Sequence, residues 1–360
     1  MTMRRILMSL LLAGASAAAQ EPAPEIAVEG LDPVLLVQGQ EVQGQSEIRA
    51  VHGGLAYLFA SADSKARFEA EPGRYAVQLG GACARMGAPT LGNPDLYAVH
   101  EGRIYLFGSG ECLRAFQAAP AKYLEPEEPP LARSAEAERR ASELLDKAVA
   151  WVGGEERLHR ITGYELRTRL VETRPAREIQ ISHHTTALLP ASIRDEAVTP
   201  WGEMTEVVAP DDAFLLTPRG ARPLHPLQRQ GLETTQRRLP LVILRSRREP
   251  GFVAVHAGPG RAGDAAVEEV ELELASSRMR LGIEAASGRI LSLAYRGRHP
   301  DGEVGAVVEL FSEYRNTEGL MLPYRSAATV DGASLRVTSV EAVSLDPVAD
   351  KALFARPSAH

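Results

Sequence analysis

Tyr164-Glu165-Leu166-Arg167-Thr168-Arg169-Leu170 alternates large or uncharged side chains with charged ones, and Val270-Glu271-Leu272-Glu273-Leu274 does the same much later in the chain. A period of two sends successive side chains to opposite faces, so both stretches predict strands with one dry and one wet face. Further strands are expected around Ile179, Met204, Phe214, Val253, Met279, Leu291, Val307 and Val337, with turns at Ser287-Gly288 and Asp331-Gly332. Between them Pro226 to Leu244 reads as a helix interrupted at Pro240. Many strands, few helices and hairpin connections predict an α+β chain, mostly β, built on a large curved antiparallel sheet with one or two packing helices.

Upstream, Ala141, Leu144, Leu145, Ala148, Val149 and Val152 recur at helical spacing, which predicts an amphipathic helix from about Ala135 to Val152 stopped by Gly153-Gly154. Before it, residues 126–134 hold three prolines and like charges that oppose helix and sheet, and form a linker.

Ahead of the linker the chain repeats itself at a constant offset of 48. Val51-His52, Gly54, Tyr57-Leu58-Phe59 and Ser61 recur as Val99-His100, Gly102, Tyr105-Leu106-Phe107 and Ser109; Phe68, Ala70, Pro72 and Tyr75 recur as Phe116, Ala118, Pro120 and Tyr123. Each copy reads as a turn, an aromatic alternating strand and a short helix ending before a proline. One copy is too small to hold a core alone, so residues 24–125, with copies at about 30–87 and 91–125, are expected to pack as one domain.

The run Gly30-Leu31-Asp32-Pro33-Val34, Tyr57-x-Phe59-x-Ser61, Phe68-x-x-x-Pro72-x-x-Tyr75 and Gly80-Gly81-Ala82-Cys83-Ala84 resembles a YHS domain of the exported branch, and Tyr105 to Tyr123 resembles a second unit. The resemblance implies an association with soft metals. This chain departs from the thiol-bearing members, with Leu35 after Asp32-Pro33-Val34, Ala60 before Ser61, and Ser64 where the second copy has Cys112.

Cys83 and Cys112 are the only cysteines. In an oxidising compartment they would form a disulfide closing a loop of about 30 residues, stabilising by roughly 3 to 4 kcal/mol. Free thiols are the second reading. Ligation of Cu or Zn by Cys83, Cys112, His52 and His100 is the third, although neither cysteine lies in a C-x-x-C pair.

The N-terminus indicates where the chain works. Arg4-Arg5, the apolar run Ile6 to Ala13 and Ala17-Ala18-Ala19 read as a secretory signal over residues 1–19, cleaved before Gln20. With no cysteine near the cleavage site, a periplasmic or secreted product without a lipid anchor is expected. Losing two arginines moves the formal charge from -7 to -9, which argues against a nucleic-acid partner.

Residues 135–357, with their helix, Gly-Gly, long meander, Tyr314-Arg315-x-x-x-Gly319-Leu320-x-Leu322-Pro323 and the ending Asp346-Pro347-Val348-Ala349-Asp350, resemble LolA-like periplasmic lipoprotein carriers. That resemblance implies a half-open barrel sheltering an acyl chain. Its apolar groove would be lined by Leu166, Leu170, Leu272 and Leu274, with Leu239, Leu241 and Ile243 as a lid. The plain alternative is that these side chains bury one another.

Other motifs carry less. Gly258-Pro259-Gly260-Arg261-Ala262-Gly263 matches G-x-G-x-x-G, but the strand pattern that follows makes it a hairpin loop. His183-His184 would point to opposite faces of a strand, one of them to solvent. Asp211-Asp212 reads as a turn. The segment from Arg237-Arg238 to Arg247-Arg248 reads either as a holder for an anionic headgroup or as a solvated helix face. No hydrolase or nucleotide-binding run occurs. The chain is therefore read as an exported, non-enzymatic binding protein of the cell envelope, its partner a lipid, acyl chain, lipoprotein or envelope protein. Metal binding or redox sensing through the repeat, and a ligand-free scaffold, are the alternatives.

Overall fold

The computed structural model describes residues 24–357 apart from 175, 219, 276 and 348–349. The signal expected over 1–19 and Val348-Ala349 lie outside the described residues. No helix among the described residues is long and apolar enough to cross a membrane.

The internal repeat is a repeat of structure. The first unit comprises β1 (Glu25–Ile26), α1 (Pro33–Leu36), β2 (Gln45–His52), β3 (Leu55–Phe59), α2 (Ala62–Ala70) and α3 (Pro72–Tyr75). The second comprises β4 (Ala82–Cys83), β5 (Gly87–Leu91), β6 (Asn93–His100), β7 (Arg103–Phe107) and α4 (Gly110–Ala118). In each hairpin the register slips at the same place, between Gln45 and Arg49 and between Asn93 and Tyr97. Ser61 and Ser109 cap the following helices by accepting from the amides of Ser64 (3.1 Å) and Cys112 (3.2 Å). Phe68 packs on Tyr57 and Phe59, and Phe116 on Tyr105 and Phe107, with centroids 4.8–5.4 Å apart. Such pairs contribute about 0.5–1.5 kcal/mol each beyond the area they bury. Ile104 and Leu106 of the second unit join the core of the first.

Glycines 44 and 92, again 48 apart, fix the bulge. A Cβ at Gly44 would lie 2.4 Å from the Leu58 carbonyl carbon, and one at Gly92 2.3 Å from the Leu106 Cβ. Their amides donate to Gly30 O and Gly81 O, which aligns the two unit starts. By this alignment Cys83 stands where the first unit has Asp32. Asp32 is fully buried, caps α1 through the amides of Val34 (2.9 Å) and Leu35 (3.2 Å), and accepts from Ala60 N at 2.8 Å. The second unit has no counterpart of α1, so a small apolar thiol replaces a cap that has nothing to cap.

Past the linker, α5 (Ala135–Val152) is capped by Ser134 and buries the six side chains read from the periodicity. It stops at Gly153 (φ +138), where a Cβ would lie 2.4 Å from Gly319 O. After α6 (Glu155–Arg160) come β8 (Gly163–Arg174), β9 (Arg177–Leu188), β10 (Ser192–Thr199), β11 (Gly202–Val208), β12 (Ala213–Thr217) and β13 (Gly220–Pro223). Two helices interrupt the meander, α7 (Pro226–Arg237) and α8 (Pro240–Ser246). It resumes with β14 (Val253–Ala262), β15 (Ala265–Leu274), β16 (Ser277–Ile283), β17 (Ile290–Arg298), β18 (Val304–Thr317), β19 (Leu320–Val330) and β20 (Ala333–Leu345).

These strands form one sheet, β13-β12-β11-β10-β9-β8-β20-β19-β18-β17-β16-β15-β14, antiparallel throughout. The last strand returns beside the first, so the chain's two meanders become two arms of one open sheet whose edges, β13 and β14, do not pair. The glycine-rich run is a correction to the loop expected there, since Gly258 to Ala262 is strand, bulged at His256/Gly258. Because β14 is the edge strand, Pro259 need donate no ladder hydrogen bond.

Candidate ligand site beneath the lid helices

Helix α7 begins with His225 as cap, its Nδ1 accepting from Leu227 N (3.3 Å), and Pro226 at the first position. Its Leu232 rests on Ile193, Val208, Leu215 and Leu224 of one arm. The chain then breaks at Pro240 into α8, where Leu241, Val242, Ile243 and Leu244 are all buried. A helix apolar on every side has to be enclosed. These residues share one core with α5, Leu272, Leu274 and the rest of the second arm.

This placement corrects the groove read from the sequence. Leu272, Leu274, Leu241 and Ile243 lie inside the closed core, Leu166 and Leu239 are partly buried at its margin, and Leu170 is half-buried outside it. The hollow over the second arm is thus filled by α5 and α8. Burying four aliphatic side chains outweighs leaving a hydrated trough, at about 1.5–3 kcal/mol each.

A pocket of about 260 Å³ remains between the β9–β10 turn of one arm, the end of β15 in the other, and helices α7 and α8. Its walls are Leu189 and Ile193 from one arm, Leu274 and Ala275 from the other, and Gln236 and Val242 from the roof. Most of its polar groups are engaged. Glu233 accepts from Arg229 (3.0 Å) and Arg237 (3.3 Å), and Ser246 Oγ donates to Glu249 Oε1 (3.1 Å). One is not: Arg245 Nε is buried with no hydrogen-bond partner, whereas Gln236, only 7% exposed, turns its side-chain amide to the buried Tyr164 hydroxyl.

Farther along the same sheet face lies a polar cluster. Asp195, 8% exposed, accepts from His183 Nδ1 (2.8 Å) and from Thr185 Oγ1 (2.6 Å), and its direct cross-strand neighbour is Glu206. Burial disfavours the His183 imidazolium, but the hydrogen bond and charge of Asp195 outweigh it and raise the pKa above the usual histidine value. Burial, helped by Asp195, lifts the Glu206 carboxyl above its ordinary range. His184 points to the other face, between Glu165 (2.6 Å) and Glu196 (3.1 Å). The two histidines do take opposite faces, but both are half-buried and paired, so neither is simply solvated.

The arginine-rich segment is likewise no solvated helix face. Arg238 lies 3.6 Å over the Tyr295 ring, where burial lowers its pKa. Arg247 pairs with Asp146 and Glu155, and Arg248 with Glu155 at 3.0 Å. These contacts fasten the lid. Asp212, in the expected turn, is held below the usual carboxylate range by Arg356, which bonds it at 2.6 and 3.0 Å.

In the repeat, Cys83 and Cys112 are free thiols buried in the second unit's core, so the expected disulfide is not formed in this structure. His52 and His100 each stand edge-on to the aromatic of their own unit, Phe68 at 6.1 Å and Phe116 at 5.8 Å. Among the described residues no group of three or more His, Cys, Asp or Glu could hold a metal. His100 also borders a cleft of about 570 Å³ between the units, with Leu36, Val37, Tyr97 and Val99.

Sequence reasoning missed Gln236 and Asp195. Both had a local signal: Gln236 follows Leu232 by one helical turn on the buried stripe, and Asp195 alternates with Ile193 and Ala197 on an apolar strand face.

No family model and no curated protein matches the chain. Among solved structures it is similar in part to a LolA superfamily protein from Nitrosomonas europaea (13% identity, 60% of this chain and 97% of that one, TM-score 0.43). A DUF1329 family protein from Desulfovibrio piger overlaps to a like extent (9% identity, 60% and 97%, TM-score 0.41), as does an outer membrane lipoprotein-sorting protein domain from Vibrio parahaemolyticus (8% identity, 60% and 96%, TM-score 0.40).

Proposed function

We propose that the chain is an exported, non-enzymatic binding protein of the cell envelope whose curved sheet receives a lipid or acyl chain beneath α7 and α8. The observation that carries this reading is the pocket between the β9–β10 turn of one arm and the end of β15 in the other. The arms face each other across it, and the gap is closed by helices that contribute side chains and no sheet hydrogen bonds. In this reading α8 is the resident occupant of the hollow, and a ligand takes its place when the helix swings outward from Pro240.

The energetics set the ligand's size. Exposing Leu241 to Leu244 costs about 6–12 kcal/mol, and each methylene buried in exchange returns about 0.8 kcal/mol. A chain of roughly eight to fifteen methylenes is needed to offset that loss. A short amphiphile would leave the lid shut.

The test is an organic-solvent extract of the protein purified from the envelope, analysed by mass spectrometry, together with a titration with dansylaminoundecanoic acid. Saturable binding near one probe per chain, displaced by long-chain fatty acid, is expected. A lipid-free extract and no probe binding would overturn the reading.

A further inference from the structure

We infer that the free edge of β6 in the repeat domain is a docking strip for an extended peptide of apolar and basic residues, which adds a strand beside Tyr97–His100. All four of those residues border the cleft between the units. Successive side chains of a strand take opposite faces, so a space that touches four in a row lies along the strand's edge and not over one face. β6 ends its sheet, β5-β4-β7-β6, and pairs only with β7. The amides and carbonyls of this stretch that point away from β7 therefore have no sheet partner, and an edge in that state is a template for another strand.

The edge is walled on both sides. On the face of Tyr97 and Val99, Leu36 and Val37 rise from the end of α1, and Tyr97 packs on the same core as they do. On the face of Ala98 and His100 stand Phe116 and Pro120, with the His100 ring 5.8 Å from that of Phe116. At about 570 Å³ the cleft between these walls has the volume of a ligand site, and Val99 is 39% exposed beside it.

The internal repeat supplies a comparison. In β2, the matching edge strand of the first unit, Arg49 stands where β6 has Tyr97, while alanine, valine and histidine recur at the next three positions. A charged side chain keeps an edge from pairing, and β6 has no Lys, Arg or Pro from Tyr97 to His100.

Shape and charge select the occupant. A recessed edge admits a single strand, whereas β6 of a second copy, recessed in the same way, cannot reach it. Among the described residues that border the cleft, Glu41 alone carries a full charge at neutral pH. Burial, helped by Glu41 and Glu29, raises the Tyr97 hydroxyl, so both charges lie close to the strip. Both are negative, and the complementary peptide carries a lysine or arginine beside apolar residues at alternate positions.

The test is a fluorescence anisotropy titration of the full exported protein with the labelled hexapeptide acetyl-Lys-Val-Thr-Leu-Thr-Val-amide. Saturable binding is expected. N-methylation of one alternating set of its backbone amides should weaken it about tenfold or more and methylation of the other set should not, because only one edge of an added strand faces β6. Replacing the lysine by glutamate should weaken binding about fivefold, and Glu41→Gln should shrink that difference. Val99→Lys, which puts a charge on the edge at an exposed position, should abolish binding, while Val51→Lys at the matching position of β2 should leave it unchanged; circular dichroism checks that both are folded. No saturable binding, an equal response to the two methylated sets, or binding retained in Val99→Lys would overturn the proposal. A dimer that Val99→Lys dissociates would also overturn it, by giving the edge to a second copy.

Discussion

At the scale of single residues, the inner face of the first arm depends on Asp195. Removing its charge should reverse the balance on His183, because burial remains while the favourable partner is gone. In an NMR titration the His183 midpoint is expected above the ordinary ~6.5 in wild type and below it in Asp195→Asn. The linkage sign follows from the raised value. The stability His183 adds is complete below about pH 6.5 and is lost as pH rises through its folded pKa. Glu206, also raised, acts in the same direction from a lower starting pH. A wild-type midpoint at or below 6.5 would show that Asp195 does not govern the pair. The alternation of Ile193, Asp195 and Ala197 held a signal of a charge on a dry face, and that signal went unread. Its partner His183 is a diagonal cross-strand neighbour, fixed by a register that only pairing of β9 with β10 sets. The cysteines were harder still, because what places Cys83 is its correspondence with Asp32, and that rests on two backbone hydrogen bonds rather than on spacing.

At the scale of elements, helical and strand periods were read well where one face is dry. The six buried residues of α5 were all legible because the helix packs on the sheet along one stripe. The break at Pro240 was legible because proline cannot continue a helix. The filling of the hollow by α8 was not, since an apolar run of four residues looks the same whether it lines a groove or plugs one. The end of α5 gives a sharp test of close packing. In Gly153→Ala the new Cβ meets Gly319 O in a backbone conformation that favours glycine, which should cost on the order of 2–4 kcal/mol in a thermal or urea melt. Gly154→Ala, with nothing within 4 Å of its added Cβ, should cost less because only backbone strain acts there. Equal losses would mean that the approach of the β18–β19 turn to α5 contributes nothing.

At the scale of the whole molecule, the repeat unit holds one end of the lid, the start of α7. His225 and Leu227, at the start of α7, lie against Gly80, where an added Cβ would come within 3.2 Å of Leu227. A second contact lies at the β17–β18 hairpin, where Arg298 donates to the carbonyls of Arg85 (3.1 Å) and Tyr123 (3.1 Å) and Lys122 pairs with Glu303 at 2.8 Å. These contacts anchor α7 and the hairpin, whereas α8 is tethered by the ion pairs of Arg247 and Arg248 and by its own apolar contacts. None of this docking was legible in the sequence, because it joins residues more than a hundred positions apart through backbone carbonyls that any sequence possesses. The exchange of α8 for a ligand is most directly tested by hydrogen exchange of the full protein with and without dodecanoate. Faster exchange across residues 239–246 together with slower exchange in β15 and β16 is expected; saturating dodecanoate that leaves 239–246 as protected as in the free protein would contradict the account.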